Sequence, residues 1–371
     1  MSRISAVQAA GDALNELGID QSRPIDPFEA IEDTGLVLRF AEMTHLLGAT
    51  LPGRPGGVLI NKDRPASLQR YTAAHELGHW FMHQDFLSLD DVDHVLHHGG
   101  SSRELDAQVF AAHFLMPLEL LYPTARRHGV QGREQASPEQ VYQIARDMNV
   151  SYEAAARQLA STPLVSRGQL DRLLKARPAD IKKRLTNGTV LPDARGDVWI
   201  IDQPDTGAAI HAFVGDAIFL RLTEYASAGY RWCADNALSE AVSDRFHNSV
   251  PPAPFGERRA FHGEEPTSDA EIIPFPKTDL GSEVITLLRD EVIRERYRVG
   301  ETRIGGHSTR MVAYTASATG KESIRLSHVR PIRPNSPVEH LEVVTLVRGV
   351  PEVEFRGRLL AAFARSEEEE W

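Results

Sequence analysis

Cysteine is almost absent from this chain: Cys233 stands alone in 371 residues. No internal disulfide can form, so the fold must close on its own apolar core, and a reducing compartment suits it. Long apolar runs are missing as well. No stretch approaches the roughly 18 apolar residues that cross a bilayer. The opening segment MSRISAVQAAGDALNELGID has the pattern of an amphipathic helix and lacks the apolar block of a secretory leader. These absences predict a cytoplasmic protein. Positive charge is the minority sign, with 41 Lys and Arg against 52 Asp and Glu and a formal net charge of −11. That excess argues against a surface built for non-specific attraction to nucleic acid and leaves only a local basic patch open. The apolar share of 42% is ordinary for a globular chain, and the length suits two domains.

Against this plain background, one stretch carries chemistry: Ala74-His75-Glu76-Leu77-Gly78-His79, an HExxH motif. Residues four apart share a helix face, so His75 and His79 can aim ring nitrogens at one metal ion. Glu76 then stands beside that ion, placed to take a proton from an attacking water, as in zinc peptidases. With this composition a chance HExxH is expected about 0.05 times in the chain.

The chain around the motif organises itself. Residues 1–35 read as one or two short helices, broken at Ser22-Arg23-Pro24-Ile25-Asp26-Pro27. Leu36–Phe40 and Gly57–Asn61 are β-rich runs around the turn Leu51-Pro52-Gly53-Arg54-Pro55-Gly56 and predict a small sheet. Pro65 opens the HExxH helix, in which Leu68, Tyr71, Thr72, His75, His79 and Met82 form one stripe. A polar loop with His94, His97 and His98 follows, then an apolar helix from Arg103 to Met116. Ser137-Pro138-Glu139-Gln140 is a capping-box signature for a helix through Met148. A second helix spans Tyr152 to Leu159, and two more reach Leu185. Near residue 190 the pattern turns to strands: Val198–Ile201, Ile218–Leu222, Met311–Thr315, Ile324–His328 and Leu341–Val347. The predicted class is therefore α+β: a mainly helical zincin-like domain with a small sheet over residues 1–190, then an all-β domain over 191–350. An insertion is expected at about 247–285, and Ser366-Glu367-Glu368-Glu369-Glu370-Trp371 ends an acidic tail, 351–371, expected to fray.

A catalytic zinc needs three protein ligands and one open position. HExxH supplies two. Glu104 is the leading third ligand, because its helix is almost wholly apolar beyond it and would bury itself beside the HExxH helix. Two alternatives stay open: Glu104 capping its own helix through Ser101-Ser102-Arg103-Glu104, and Asp106 as the ligand instead. His83, one turn past His79, is open to two readings, an approach to the metal site or a helix-end histidine near the C-terminal dipole, and His113 reads as a helix-face histidine. Asn61 and Tyr71 are the candidate substrate-binding residues, with Val58–Asn61 as an edge strand that pairs with an extended peptide.

Asn61, Arg64-Pro65, Gln69-Arg70-Tyr71-Thr72-Ala73-Ala74-His75-Glu76-Leu77-Gly78-His79, Glu104 and Phe110-Ala111-Ala112-His113-Phe114-Leu115-Met116-Pro117 resemble the ImmA/IrrE metallopeptidases. The resemblance covers about residues 20–175. It implies metal binding by His75, His79 and Glu104, with Glu76 as the base. It also implies a helix-turn-helix repressor or antitoxin-like regulator as substrate, in a stress or mobile-element response. The helical pair at 138–160 has helix-turn-helix spacing, but its second helix carries Arg157 as its only base, so a structural subdomain (about 137–185) is favoured over direct DNA binding.

Farther on, the run Gly215 to Trp232, with Gly229-Tyr230, is similar to the first loop region of chagasin-type inhibitors, and Gly305-Gly306-His307 and Arg330-Pro331 stand where that family's other loops fall. The resemblance implies an immunoglobulin-like β-sandwich whose binding loops include Gly229, Tyr230, Gly305, Gly306, Arg330 and Pro331. Here Ile332 follows Arg330-Pro331 where that family has an aromatic, and the Asn-Pro-Thr-Thr part of the first loop is missing. The expected function is a Zn2+-dependent endopeptidase acting on a specific protein, with the second domain recognising or regulating. The alternatives are a non-catalytic protein- or DNA-binding regulator with a structural zinc site, or a cysteine-peptidase inhibitor through the second domain.

Overall fold

Helix α1 (Arg3–Glu16) forms where small apolar residues recur at helical spacing, and it buries Ala6, Ala10, Ala13 and Leu14. Helix α2 (Pro27–Asp33) starts at Asp26, whose carboxylate accepts the Phe28 backbone N–H at 3.0 Å. These elements come from a computed structural model that describes residues 3–83, 88–91, 102–132, 136–235, 282–294, 308–330, 333 and 335–369. The chain divides into two compact units, one of Met1–Trp199, His211–Ala217 and Val347–Trp371, the other of Ile200–Ile210 and Ile218–Leu346. No described helix is long and apolar enough to cross a membrane.

In the first unit, strands β1 (Val37–Ala41), β2 (Leu46–Leu51), β3 (Gly57–Asn61) and β4 (Ser88–Asp91) form one sheet in the order β1-β3-β2-β4. β1 runs parallel to β3, with Val37 opposite Gly57, and β2 runs antiparallel to β3, with Thr50 opposite Val58. The expected edge strand Val58–Asn61 is thus an interior strand; among the described residues the sheet ends at β1 and β4. Two strands of this sheet have no counterpart in the sequence reading, β2, which covers the other side of β3, and β4.

Helices α3 (Ala66–Met82) and α4 (Ser102–Leu115) bury nearly continuous surfaces. Helices α5 (Leu118–Arg127), α6 (Pro138–Asp147), α7 (Tyr152–Ala160), α8 (Arg167–Leu173) and α9 (Pro178–Leu185) follow. The capping box at Ser137 and Gln140 closes in both directions, at 3.2 and 2.8 Å. Arg146 is buried on α6 and pairs with Asp197, which also accepts the Tyr142 hydroxyl at 2.8 Å. Asp216 is buried and accepts the Asp197 and Phe213 amides and the Trp199 indole. Its burial nonetheless raises its pKa.

Within the segment expected as an acidic tail, Pro351–Glu369 form helix α10. Its first turn carries Glu352 and Glu354, which suit a helix N-terminus. Phe355 packs 5.7 Å from the Phe40 ring, and Arg358 pairs with Glu32 at 2.9 Å, so the helix is anchored within its unit.

Between α9 and α10 the described residues form two four-stranded sheets, which hold the five expected strands and three more. One is ordered β5 (Val198–Asp202), β7 (Ala217–Glu224), β10 (Ser308–Ala316), β9 (Ile285–Arg294); the other β6 (Ala209–Phe213), β12 (Glu339–Arg348), β11 (Gly320–Val329), β8 (Arg231–Ala234). β12 shows the alternation of a half-buried strand, burying Leu341, Val343, Thr345 and Val347. Trp232 is wholly buried; its indole donates to the Thr223 carbonyl at 2.8 Å, and its ring stacks on His328 at 4.7 Å. Residues 247–281 of the expected insertion lie outside the described residues.

Candidate metal centre

The local sequence fixes α3 before any metal is considered. Gln69 donates to the carbonyls of Lys62 and Arg64, at 3.0 and 2.6 Å, and so ties the entering loop to the helix. Arg70 is buried and donates to the Asn149 carbonyl at 3.1 Å and to the Ile25 carbonyl. Desolvation lowers its pKa, opposed by the negative charges of Asp26 and Glu354. Gly78 lets α4 approach: a Cβ there would stand 3.1 Å from the Phe110 ring.

That approach brings the first turn of α4 to the histidines. Nε2 of His75 lies 3.2 Å from Oε2 of Glu104 and 3.2 Å from Nε2 of His79, and His79 Nε2 lies 3.5 Å from the same carboxylate oxygen. The three form the one group of potential ligand atoms found together among the described residues. Both imidazoles are fully buried, and Glu104 is 13% exposed. The separations fit a metal. Ligand atoms at zinc–nitrogen or zinc–oxygen distances, set tetrahedrally, are about 3.3 Å apart. Deprotonated ring nitrogens this close to each other and to a carboxylate repel unless a cation sits among them.

Glu76 is buried beside its neighbour His75, at 0% exposure. The Thr50 hydroxyl donates to its Oε2 at 2.5 Å. Gly48, two residues earlier on β2, leaves room for the carboxylate, because a Cβ there would stand 2.6 Å from Oε1. The sequence reading had neither Gly48 nor Thr50. The available signal was a glycine and a threonine with i, i+2 spacing just before the Pro-Gly turn.

The remaining expectations divide. Asp106 is buried on α4 outside the converging group. Glu104 directs its carboxylate to the two imidazoles, as the ligand reading requires. His83 ends α3 with its ring 5.6 Å from that of His79, its pKa lowered by burial. His113 meets the Gln158 amide at 3.4 Å. His94, His97 and His98 lie outside the described residues. Asn61, proposed for substrate, is taken by the fold itself: its amide donates to the Met43 and Leu46 carbonyls at 2.6 and 2.7 Å, and its oxygen accepts the Asp63 N–H. Tyr71 is half-buried, with its hydroxyl 3.5 Å from the Gln108 carbonyl and its pKa pushed up by burial.

In the second unit, Gly229 has φ +79 and closes the short turn Ala226–Ala228, where glycine is the natural residue. The guanidinium of Arg330 lies 4.6 Å over the Tyr230 ring, so two of the expected loop residues meet. Gly305, Gly306 and Pro331 lie outside the described residues.

A buried His-His-Glu trio with a second glutamate at its side is a group that could hold one metal ion. Residues 32–160 match the IrrE N-terminal-like domain, a peptidase family, over roughly a third of the chain. No curated protein matches. Among solved structures, the chain is similar to the cysteine protease inhibitor EhICP2 from Entamoeba histolytica, with 18% identity over 42% of this chain and 98% of that one, at a TM-score of 0.27. Amebosin, in a solution structure, matches at 15% identity over 41% of this chain and 100% of that one, with a TM-score of 0.25. PbICP-C, from its complex with falcipain-2, matches at 18% over 42% and 90%, with a TM-score of 0.21.

Proposed function

We propose that the first unit is a zinc-dependent endopeptidase. The observation that carries this reading is the convergence of His75 Nε2, His79 Nε2 and Glu104 Oε2 within 3.5 Å of one another, next to the buried Glu76. Three protein ligands are the number that catalytic rather than structural zinc takes. A zinc ion held by these residues would supply Lewis acidity to the scissile carbonyl and to the attacking water.

The residues of this chain supply the rest. His75, His79 and Glu104 hold the ion. Glu76 accepts the proton of the attacking water and returns it to the departing amine. Its burial keeps bulk water from competing for that carboxylate. Strand β4, which among the described residues is an edge of the sheet next to β2, is the strand to which an extended peptide would add, the role first expected of Val58–Asn61.

The substrate is a specific cytoplasmic protein, a helix-turn-helix repressor or antitoxin-like regulator, and the second unit recognises or regulates. Direct DNA binding by α6 and α7 is disfavoured: Arg146 is buried against Asp197, and Arg157 is held by Glu153 at 2.7 Å. The test is Glu76→Gln, used as a trap in a pull-down with mass spectrometry and then in a cleavage assay on the captured protein. The variant is expected to keep its zinc and lose cleavage. Cleavage at the wild-type rate would contradict the assignment.

A further inference from the structure

Strand β2 is the element nearest the base that the sequence reading did not use. Gly48 and Thr50 are two residues apart, so they share one face of the strand. That face meets Glu76: Thr50 Oγ1 is 2.5 Å from Oε2, and the space a Gly48 Cβ would fill is 2.6 Å from Oε1. Thr50 is 2% exposed, and both neighbouring strands pair through it, Val58 on β3 and Ser88 on β4. The strand is therefore held from both sides.

The Thr50 hydroxyl has one proton and two possible acceptors on Glu76, the carboxylate at 2.5 Å and the backbone carbonyl at 3.1 Å. The shorter, charge-assisted bond takes it. A carboxylate on a flexible side chain has three torsions to settle, and a bond of this kind settles the last of them.

We propose that Thr50 is a positioning residue for the peptidase reaction: it locks the Glu76 carboxylate in the orientation that serves the attacking water, with Gly48 keeping the adjoining space clear. This rests on the zinc endopeptidase reading above. The competing role is packing alone, in which the threonine methyl fills the space beside α3 and the hydroxyl merely avoids being buried unpaired. The two roles part on substitution. Valine keeps the shape and loses the donor; serine keeps the donor and loses the methyl.

The experiment uses the full chain loaded with zinc and needs no natural substrate. Acetohydroxamate, which chelates zinc and offers protons to an adjacent carboxylate, is titrated into wild type, Thr50→Val, Thr50→Ser, Glu76→Gln and the Thr50→Val/Glu76→Gln double variant. Zinc content and the melting temperature of the metal-free proteins are measured alongside. Thr50→Val is expected to weaken acetohydroxamate roughly tenfold, with zinc content unchanged. Thr50→Ser should stay within about twofold of wild type, and Thr50→Val should add nothing once Glu76 is glutamine. Should Thr50→Val fold poorly, Thr50→Ala removes the same donor without added bulk and is read the same way. Wild-type affinity in Thr50→Val, equal losses in Val and Ser, or a full loss persisting on Glu76→Gln would each overturn the proposal while leaving the peptidase reading intact. A zinc-loaded wild type that does not take up acetohydroxamate would overturn both.

Discussion

Gly78 and Phe110 touch where α3 and α4 cross: a Cβ on Gly78 would lie 3.1 Å from Cδ1 of the ring and 3.2 Å from its Cβ. Phe110 cannot step aside, because it is stacked between Phe81 and Phe114 at 5.9 and 5.6 Å. The glycine of the HExxH motif therefore sets how closely the helix bearing Glu104 approaches the helix bearing the histidines.

Gly78→Val should accordingly separate α3 from α4. The expected cost is about 2–3 kcal/mol of stability from overpacking, together with a loss of zinc affinity as Glu104 withdraws. Urea denaturation and a competitive zinc titration check both parts. Unchanged zinc affinity would mean that the trio does not depend on this crossing.

His211 supplies a pH dependence. Burial, helped by the positive charges of Arg348, Arg70 and Arg23, pushes its imidazole down to about 4. An unfolded histidine titrates near 6.5. Between these values the unfolded chain binds more protons than the folded one, so stability falls as pH drops from about 6.5 toward 4 and is unaffected above that window. Allowing for the partial exposure of the ring, the loss attributable to His211 is about 1–2 kcal/mol. Comparing wild type with His211→Asn at pH 7.5 and pH 4.5 checks it: the variant should lose less stability on acidification.

Trp232 anchors the second unit. It is wholly buried, bonded through its indole to the Thr223 carbonyl, and stacked on His328 with ring planes 5° apart. Trp232→Ala is expected to cost about 3–5 kcal/mol, and Trp232→Phe, which keeps a ring but drops the donor, about 1–2 kcal/mol. Thermal melts of the full chain measure the difference.

How much of this was legible in advance follows from the physics of each element. The HExxH helix was legible because two histidines and a glutamate at fixed helical spacing carry their chemistry in the spacing itself. Glu104 was legible because it heads the apolar run Val109 to Met116, whose burial beside the HExxH helix brings its first turn to the histidines, although its S-x-x-E position fits a helix cap equally well. Strand β2 was not: Leu47, Gly48, Ala49 and Thr50 are all buried, so the run lacks the alternation that marks a half-exposed strand. Missing β2 hid Thr50 and Gly48 and made β3 look like an edge. Asn61 was misread because a buried asparagine clamping two carbonyls and one facing a ligand have the same sequence. The C-terminal helix was obscured by Glu367–Glu370, although Phe355 and Arg358 earlier in the segment held the contacts that anchor it.

The central claim is that one zinc ion is held by His75, His79 and Glu104 with a position left open. X-ray absorption on the zinc-loaded protein, with metal analysis of wild type, Glu104→Ala and Asp106→Asn, tests it most directly. The expected result is one zinc per chain bound by two imidazoles and oxygen donors, lost in Glu104→Ala and kept in Asp106→Asn. Full zinc occupancy in Glu104→Ala, or an ion enclosed by four protein ligands, would contradict it.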